Sequence, residues 1–232
     1  MREEWIDVNG VRLRYVLAGD GGKDAVLIHG NGEDHRLFDH VIPRLISAGF
    51  RVYAPDSRGH GESTPVTEYH YADMAEDIYR FIRSLGLRKP LLYGHSDGGI
   101  IGLLLELSHP GTLGLLAVSG ANLSPEGLDR GLIAELEDRV RITPDPLAAL
   151  MLNEPRIDPA RLRSIRIPTL VMAGERDLVI PEETRRIAKG LPLGQLVTVE
   201  RADHGSYVTD GTAADLVIAF AAEHEGPDGG FS

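Results

Sequence analysis

Short apolar runs alternate with stretches of helical spacing along most of the chain. Ala25-Val26-Leu27-Ile28, Phe50-Arg51-Val52-Tyr53-Ala54 and Pro90-Leu91-Leu92-Tyr93 are too short for helices and read as buried strands. Leu113 to Val118, Thr169 to Met172 and Leu196 to Val199 repeat the pattern. Between them, Leu37 to Ala48 has helical spacing. Met74, Ile78, Phe81, Ile82 and Leu85 fall on one helical face that Gly86 terminates. Ile100 to Leu107 is apolar nearly all round, which implies a buried helix, and Ala213 to Ala222 reads as the closing one. Ahead of this series, Trp5 to Val8 and Val11 to Leu17 flank Asn9-Gly10, a dipeptide that tolerates the positive φ of a tight hairpin turn. Strands alternating with helices predict an α/β fold. Its sheet is mostly parallel, with helices on both faces and the antiparallel hairpin at one edge.

One region breaks the rhythm. Leu123 to Arg163 has helical pieces such as Leu128 to Val140, prolines including Pro144, Pro146, Pro155 and Pro159, and no strand signal. Residues 123–163 read as a small helical cap inserted into a core of residues 1–122 and 164–225. The cap is expected over the carboxyl ends of the strands, where ligands sit in such sheets. Residues 226–232 are expected to form a flexible tail.

Composition narrows the function. A chain of 232 residues with 42% hydrophobic content can bury a full core. A formal net charge of -11 repels phosphate backbones and anionic lipid. The absence of cysteine excludes disulfides, thiolate metal sites and thiol catalysis. The opening Met1-Arg2-Glu3-Glu4-Trp5 lacks a signal pattern, and no apolar stretch approaches the roughly 20 residues of a membrane span. The expectation is a cytoplasmic protein acting on a small molecule, without nucleic-acid or membrane partners. Homo-oligomer formation is left open.

The chemistry concentrates in Gly94-His95-Ser96-Asp97-Gly98-Gly99, which follows a strand and opens a helix. The pentad Gly94 to Gly98 fits G-x-S-x-G, in which the serine sits on a sharp turn with its hydroxyl pushed out of the backbone. Residues two before and two after crowd that turn, so glycine fits there. The helix that follows aims its free N–H groups at Ser96. Serine hydroxyl is too weak an acid to attack unaided and needs a histidine base. Of nine histidines, His204 is the one just past the last strand and before the last helix, where it reaches back to Ser96. His95 points away on the turn itself, and His29, His60 and His70 read as structural or loop residues. A carboxylate must orient that base. Asp177 follows the strand Thr169 to Met172 on a loop with room to turn back; Glu175 is its rival, nearer the strand end. Two backbone N–H groups must face the developing oxyanion. Asp97, after the nucleophile, supplies one. The loop His29-Gly30-Asn31-Gly32 supplies the other, with Asn31 chosen because glycines flank it.

This ordered set (oxyanion loop, nucleophile, acid, base) resembles the α/β-hydrolase superfamily over nearly the whole chain. The segment Asp56-Ser57-Arg58-Gly59-His60-Gly61-Glu62-Ser63 resembles one these enzymes carry after their fourth strand, in which Arg58 and Ser63 support loops near the site. Ser96-Asp97-Gly98-Gly99 is similar to the elbow of valacyclovir-hydrolase-like members and of several carbon–carbon bond hydrolases. The resemblance implies an eight-stranded sheet of order 1-2-4-3-5-6-7-8, no cofactor and no metal. It implies a carboxylesterase-type enzyme with a Ser96, Asp177, His204 triad. Carbon–carbon bond hydrolysis of diketone-like substrates, peroxide-dependent perhydrolysis and non-catalytic ligand binding are the alternatives. Ser96 argues against haloalkane dehalogenation, which uses aspartate at that position. Leu128, Leu132, Leu136 and Leu150 are expected to line an acyl pocket. The Asp97 side chain either recognises a cationic substrate group or simply favours the helix start.

Overall fold

The computed structural model describes residues 1–226, 230 and 231. The hairpin comes first: β1 (Arg2–Val8) pairs antiparallel with β2 (Val11–Ala18). Asn9 and Gly10 make the turn at φ 45° and 77°, both in the left-handed region the turn requires. Six further strands follow: β3 (Lys23–Ile28), β4 (Phe50–Pro55), β5 (Leu91–His95), β6 (Leu115–Ser119), β7 (Thr169–Arg176) and β8 (Gly194–Asp203). They form one eight-stranded sheet in the order β1-β2-β4-β3-β5-β6-β7-β8, parallel from β4 to β8. This is the order the resemblance implied.

Side chains alternate across the sheet into two cores. Val26, Ile28, Leu92, Leu116 and Val118 join one cluster with α2 (Tyr71–Ser84), α3 (Asp97–Ser108) and α6 (Pro181–Gly190). Ala25, Leu27, Leu91, Tyr93 and Leu115 join the other with α1 (Ile42–Ser47) and α8 (Thr212–Glu223). Burial on both faces explains why these strands read as continuous apolar runs. A short helix, α7 (Ser206–Thr209), links β8 to α8.

Two helices differ from the sequence reading. The helix expected over Leu37 to Ala48 is a single 3₁₀ turn, His35–Phe38, followed by α1. Pro43 has no N–H to continue a helix from upstream, but it fits the first turn of a new one. Helix α6 was not announced by periodicity. Its only buried aliphatic side chains are Ile187 and Ala188, and buried Glu183 accepts the Leu123 N–H at 2.8 Å, tying the start of the cap region to the core. Residues 227–229 and 232 of the expected tail lie outside the described residues, but Phe231 is buried, its ring 6.3 Å from that of Phe50.

The 123–163 region contains α4 (Arg130–Ile142) and α5 (Pro146–Asn153), which pack on each other through Leu136 and Ala148. It joins the core chain through a short antiparallel bridge, Leu128 to Val179, and through Leu123, Leu150, Ile157 and Leu162, which are buried in the main core.

Arg58 and Ser63 brace the loop after β4. Ser63 accepts the Arg14 N–H at 2.9 Å and donates to the Asp56 carbonyl at 2.7 Å. Arg58 donates twice to Asp77, each at 2.6 Å, and Asp77 is 1% exposed. Arg58→Met leaves that carboxylate with Asn9 as its side-chain partner. It is expected to cost about 3 kcal/mol in urea unfolding, the scale of a buried pair broken on one side.

Candidate active site

Strand β5 delivers Ser96 onto the start of α3 at φ 53°, ψ -117°. The strain is enforced by packing. A Cβ on Gly94 would meet the Gly98 carbonyl oxygen at 2.1 Å, and one on Gly98 would meet the Ile28 carbonyl oxygen at 2.0 Å. Neither position admits any other residue. The Ser96 N–H is tied to the Ser119 carbonyl at 2.7 Å, which joins the turn to β6.

His204 lies between two partners. Its Nε2 is 3.1 Å from Ser96 Oγ, and its Nδ1 is 2.6 Å from Asp177 Oδ1. With the proton on Nδ1, the ring donates to Asp177 and accepts from the serine hydroxyl. Gly120, at φ 60°, makes room for the ring, because a Cβ there would lie 2.5 Å from His204 Cε1. Asp177 also accepts the N–H groups of Val179 and Gly174, each at 3.0 Å. Burial pushes its carboxyl up, but the His204 hydrogen bond and charge, with those two amides, outweigh it and hold the group below the ordinary range. Glu175 faces elsewhere. It is exposed and accepts the Arg201 N–H at 2.8 Å.

The loop after β3 lies against the turn. His29 is buried, with Nδ1 donating to the Gly30 carbonyl at 2.8 Å and Nε2 accepting from Ser57 N–H at 2.9 Å. Among the described residues, the backbone N–H groups of Asn31 and Asp97 donate to no protein acceptor. The Asn31 side chain donates to Asp97 Oδ2 at 3.0 Å, and Tyr71 donates to Asp97 Oδ1 at 2.7 Å. The Asp97 carboxylate is therefore 4% exposed, with both oxygens occupied, and is absent from the cavity wall. This corrects the cation-recognition role: the side chain fixes Asn31 instead of facing a substrate.

Above Ser96 and His204 is a cavity of about 170 Å³. Its apolar wall is Leu128, Leu132, Leu136, Met151, Leu178 and Val179, and Asn31, Glu33 and Asn122 line it as well. Three expected leucines are present. Leu150 is not, and this is a second correction. It is buried in the main core with Leu123, Ile157 and Leu162, fastening α5 to the body, while its neighbour Met151 turns to the cavity. Glu33 was not anticipated. Its Oε2 accepts the Gly30 N–H at 2.9 Å, and burial pushes its carboxyl up. A methyl on Gly30 would touch both Glu33 Oε2 and Ser96 Cβ, so little more than a methyl's width separates the acid from the nucleophile. The only sequence signal was an acidic residue closing a glycine turn three positions on.

One cluster outside the cavity has metal-like spacing: Asp34, His35 and Asp56. The Arg14 guanidinium already stands there, 2.6 Å from His35 Nδ1, and supplies the positive charge. Among the described residues, no helix is long and apolar enough to cross a membrane.

The sequence profile of the alpha/beta hydrolase family matches residues 25–219. The chain belongs to this family. As an α/β hydrolase it is similar to epoxide hydrolase A of Mycobacterium tuberculosis, with 31% identity over 69% of this chain and 50% of that one. It thus spans half of that relative's length. Serine hydrolase BPHL of Homo sapiens is 28% identical over 76% of this chain and 70% of its own. Among solved structures, an esterase of Thermogutta terrifontis superposes with a TM-score of 0.79 at 21% identity, covering 96% of this chain and 99% of its own.

The buried histidines predict an acid sensitivity. Burial drives the His29 pKa down to about 4 from an ordinary 6.5. The unfolded chain therefore binds the proton first, and stability falls as pH drops from about 6.5 towards 4, levelling off below. By pH 5 this one group costs about 2 kcal/mol. His29→Gln keeps an acceptor for Ser57 and a donor for Gly30. Urea unfolding at pH 7 and pH 5 is expected to show a pH dependence smaller than wild type by about that amount.

Proposed function

We propose that this α/β hydrolase is a carboxylesterase-type serine hydrolase, cleaving ester-like bonds of small carbonyl substrates through an acyl-enzyme on Ser96. The reading rests on one observation: a single imidazole within hydrogen-bond reach of both Ser96 Oγ and Asp177. His204 takes the hydroxyl proton as Ser96 attacks the carbonyl carbon. Asp177 holds the ring in the right tautomer and faces the imidazolium that forms. The N–H groups of Asn31 and Asp97 receive the oxyanion, each worth about 3 kcal/mol in the transition state. His204 returns the proton to the leaving alcohol, then activates a water that releases the acid. The small cavity, with its leucine wall, suits a short acyl group.

The kinship with an epoxide hydrolase does not redirect this reading. A serine that opened an epoxide would be left as an ether, which water cannot release as it releases an acyl ester. Carbon–carbon cleavage and perhydrolysis remain variants of the same serine chemistry. A cysteine-free chain also suits a cytoplasmic location, where disulfides are rare.

A fluorophosphonate is expected to modify Ser96, read by peptide mass mapping, and Ser96→Ala to abolish labelling and ester turnover with an unchanged unfolding midpoint. Modification at another residue, or none, overturns the reading. Asp177→Asn is expected to lower kcat on a nitrophenyl ester by about 10⁴-fold. Glu175→Gln serves as the control and is expected to stay within a few-fold of wild type. A reversed pattern would transfer the role to Glu175.

A further inference from the structure

Behind the catalytic cavity lies a second hollow of about 270 Å³. It sits between the end of β7, the edge strand β8 and the first turns of α6, with Ala173, Pro181, Thr184, Leu196 and Thr198 in its wall. Glu175, Pro181, Arg185, Leu196 and Thr198 of its wall are exposed, so it opens to solvent as a surface groove. Val179 is the one residue common to the walls of both spaces.

Val179 is a fixed partition. It is 1% exposed and packs with Leu128, Leu136 and Ala148 of the cap. Its own N–H is held by Asp177 Oδ1 at 3.0 Å. On either side, Leu178 accepts the Asp129 N–H at 2.8 Å and Ile180 donates to the Gly127 carbonyl at 2.9 Å. A β-branched side chain on backbone pinned this way has little freedom to swing aside. The hollow on its far side is larger than the cavity on its near side.

We propose that Val179 sets the acyl-chain length this enzyme accepts, and that the groove behind it, which Val179 walls off from the catalytic cavity, is a latent subsite for the hydrocarbon tail of a longer fatty acyl ester. The inference rests on the acyl-enzyme reading above. An acyl chain leaving Ser96 along the leucine wall ends against the Val179 isopropyl group. Removing its two outer methyls joins the two spaces, and each further methylene that enters the groove is worth up to about a fourfold gain in kcat/KM, the value for full burial.

The test is a chain-length profile with nitrophenyl acetate, butyrate, octanoate and decanoate. Wild type is expected to favour acetate and butyrate. Val179→Ala is expected to raise the decanoate-to-butyrate ratio of kcat/KM at least tenfold. The ratio cancels any general loss from a loosened Asp177 loop. Adding Thr198→Trp, which fills the hollow from exposed β8, is expected to return the ratio to the wild-type value, while Thr198→Trp alone leaves the profile unchanged. Should Val179→Ala not fold, Val179→Leu keeps the wall packed and is expected to lower the butyrate-to-acetate ratio. An unmoved ratio in folded Val179→Ala, a gain that survives Thr198→Trp, or an unchanged profile in Val179→Leu overturns the proposal. Those results with Ser96 still labelled by fluorophosphonate sink this inference alone; loss of Ser96 labelling in wild type sinks the acyl-enzyme reading beneath it.

Discussion

Three pieces of backbone meet at Ser96 with no room for side chains between them. The Gly94 Cα faces the first turn of α3, and the Gly98 Cα faces the last carbonyl of β3. Helix α3 can approach the sheet this closely only because those two residues lack a Cβ. The same approach forces the residue between them to φ 53° and pushes its side chain out of the layer. It also carries the loop after β3 against the turn, which brings the proposed oxyanion donors, the N–H groups of Asn31 and Asp97, from two adjacent segments. The geometry of Ser96 and of the proposed oxyanion site thus traces to one packing constraint.

The remaining groups come from the other end of the sheet. Asp177 leaves β7, His204 leaves β8, and Gly120 at the end of β6 provides the gap for the ring. The loop that carries Asp177 does more than orient the base. Two residues on, Val179 pairs with Leu128 and closes the cavity wall. The cap is anchored again by Glu183, whose carboxylate takes the Leu123 N–H. Cap position, acid position and pocket depth are therefore mechanically linked through residues 177–183, so a change at one is felt at the others.

Much of this was legible from local pattern. Strand, tight turn and helix around Ser96 are encoded within a few residues of it, and the order of acid and base follows from which strand each one trails. What escaped depended on rotation and distance. Leu132 and Leu136 are one helical turn apart on α4 and share a face, so one correct member implied the other, while Leu128 precedes the helix and reaches the cavity from its extended bridge to Val179. Helix α5 offers no such phase: Leu147, Leu150, Met151 and Leu152 are apolar on every side, and only tertiary packing decides that Met151 faces the cavity and Leu150 the core. The choice of Asp177 over Glu175 was likewise a matter of side-chain direction at a strand end, where β7 and β8 shift register. The role of the Asp97 side chain stayed open for a third reason: its partner Tyr71 is 26 residues away, and no local signal announces that a carboxylate at a helix start is already engaged.

The electrostatic character of the site follows from how unevenly burial acts there. Burial holds His29 and His95 neutral, lowering them to about 4 and about 3. It pushes the carboxyls of Glu33 and Asp97 up, towards protonation. Asp177 is equally a buried acid, yet two amides and His204 reverse the shift. It is thus the carboxylate around Ser96 whose charge the surroundings favour most. In the proposed reaction, the positive charge that forms on His204 lies 2.6 Å from that anion, beside histidines that burial keeps neutral. In a poorly solvated site this contrast strengthens the pairing far beyond its worth in water. The surrounding histidines need not touch the substrate to matter; by staying neutral they add no competing positive charge beside His204.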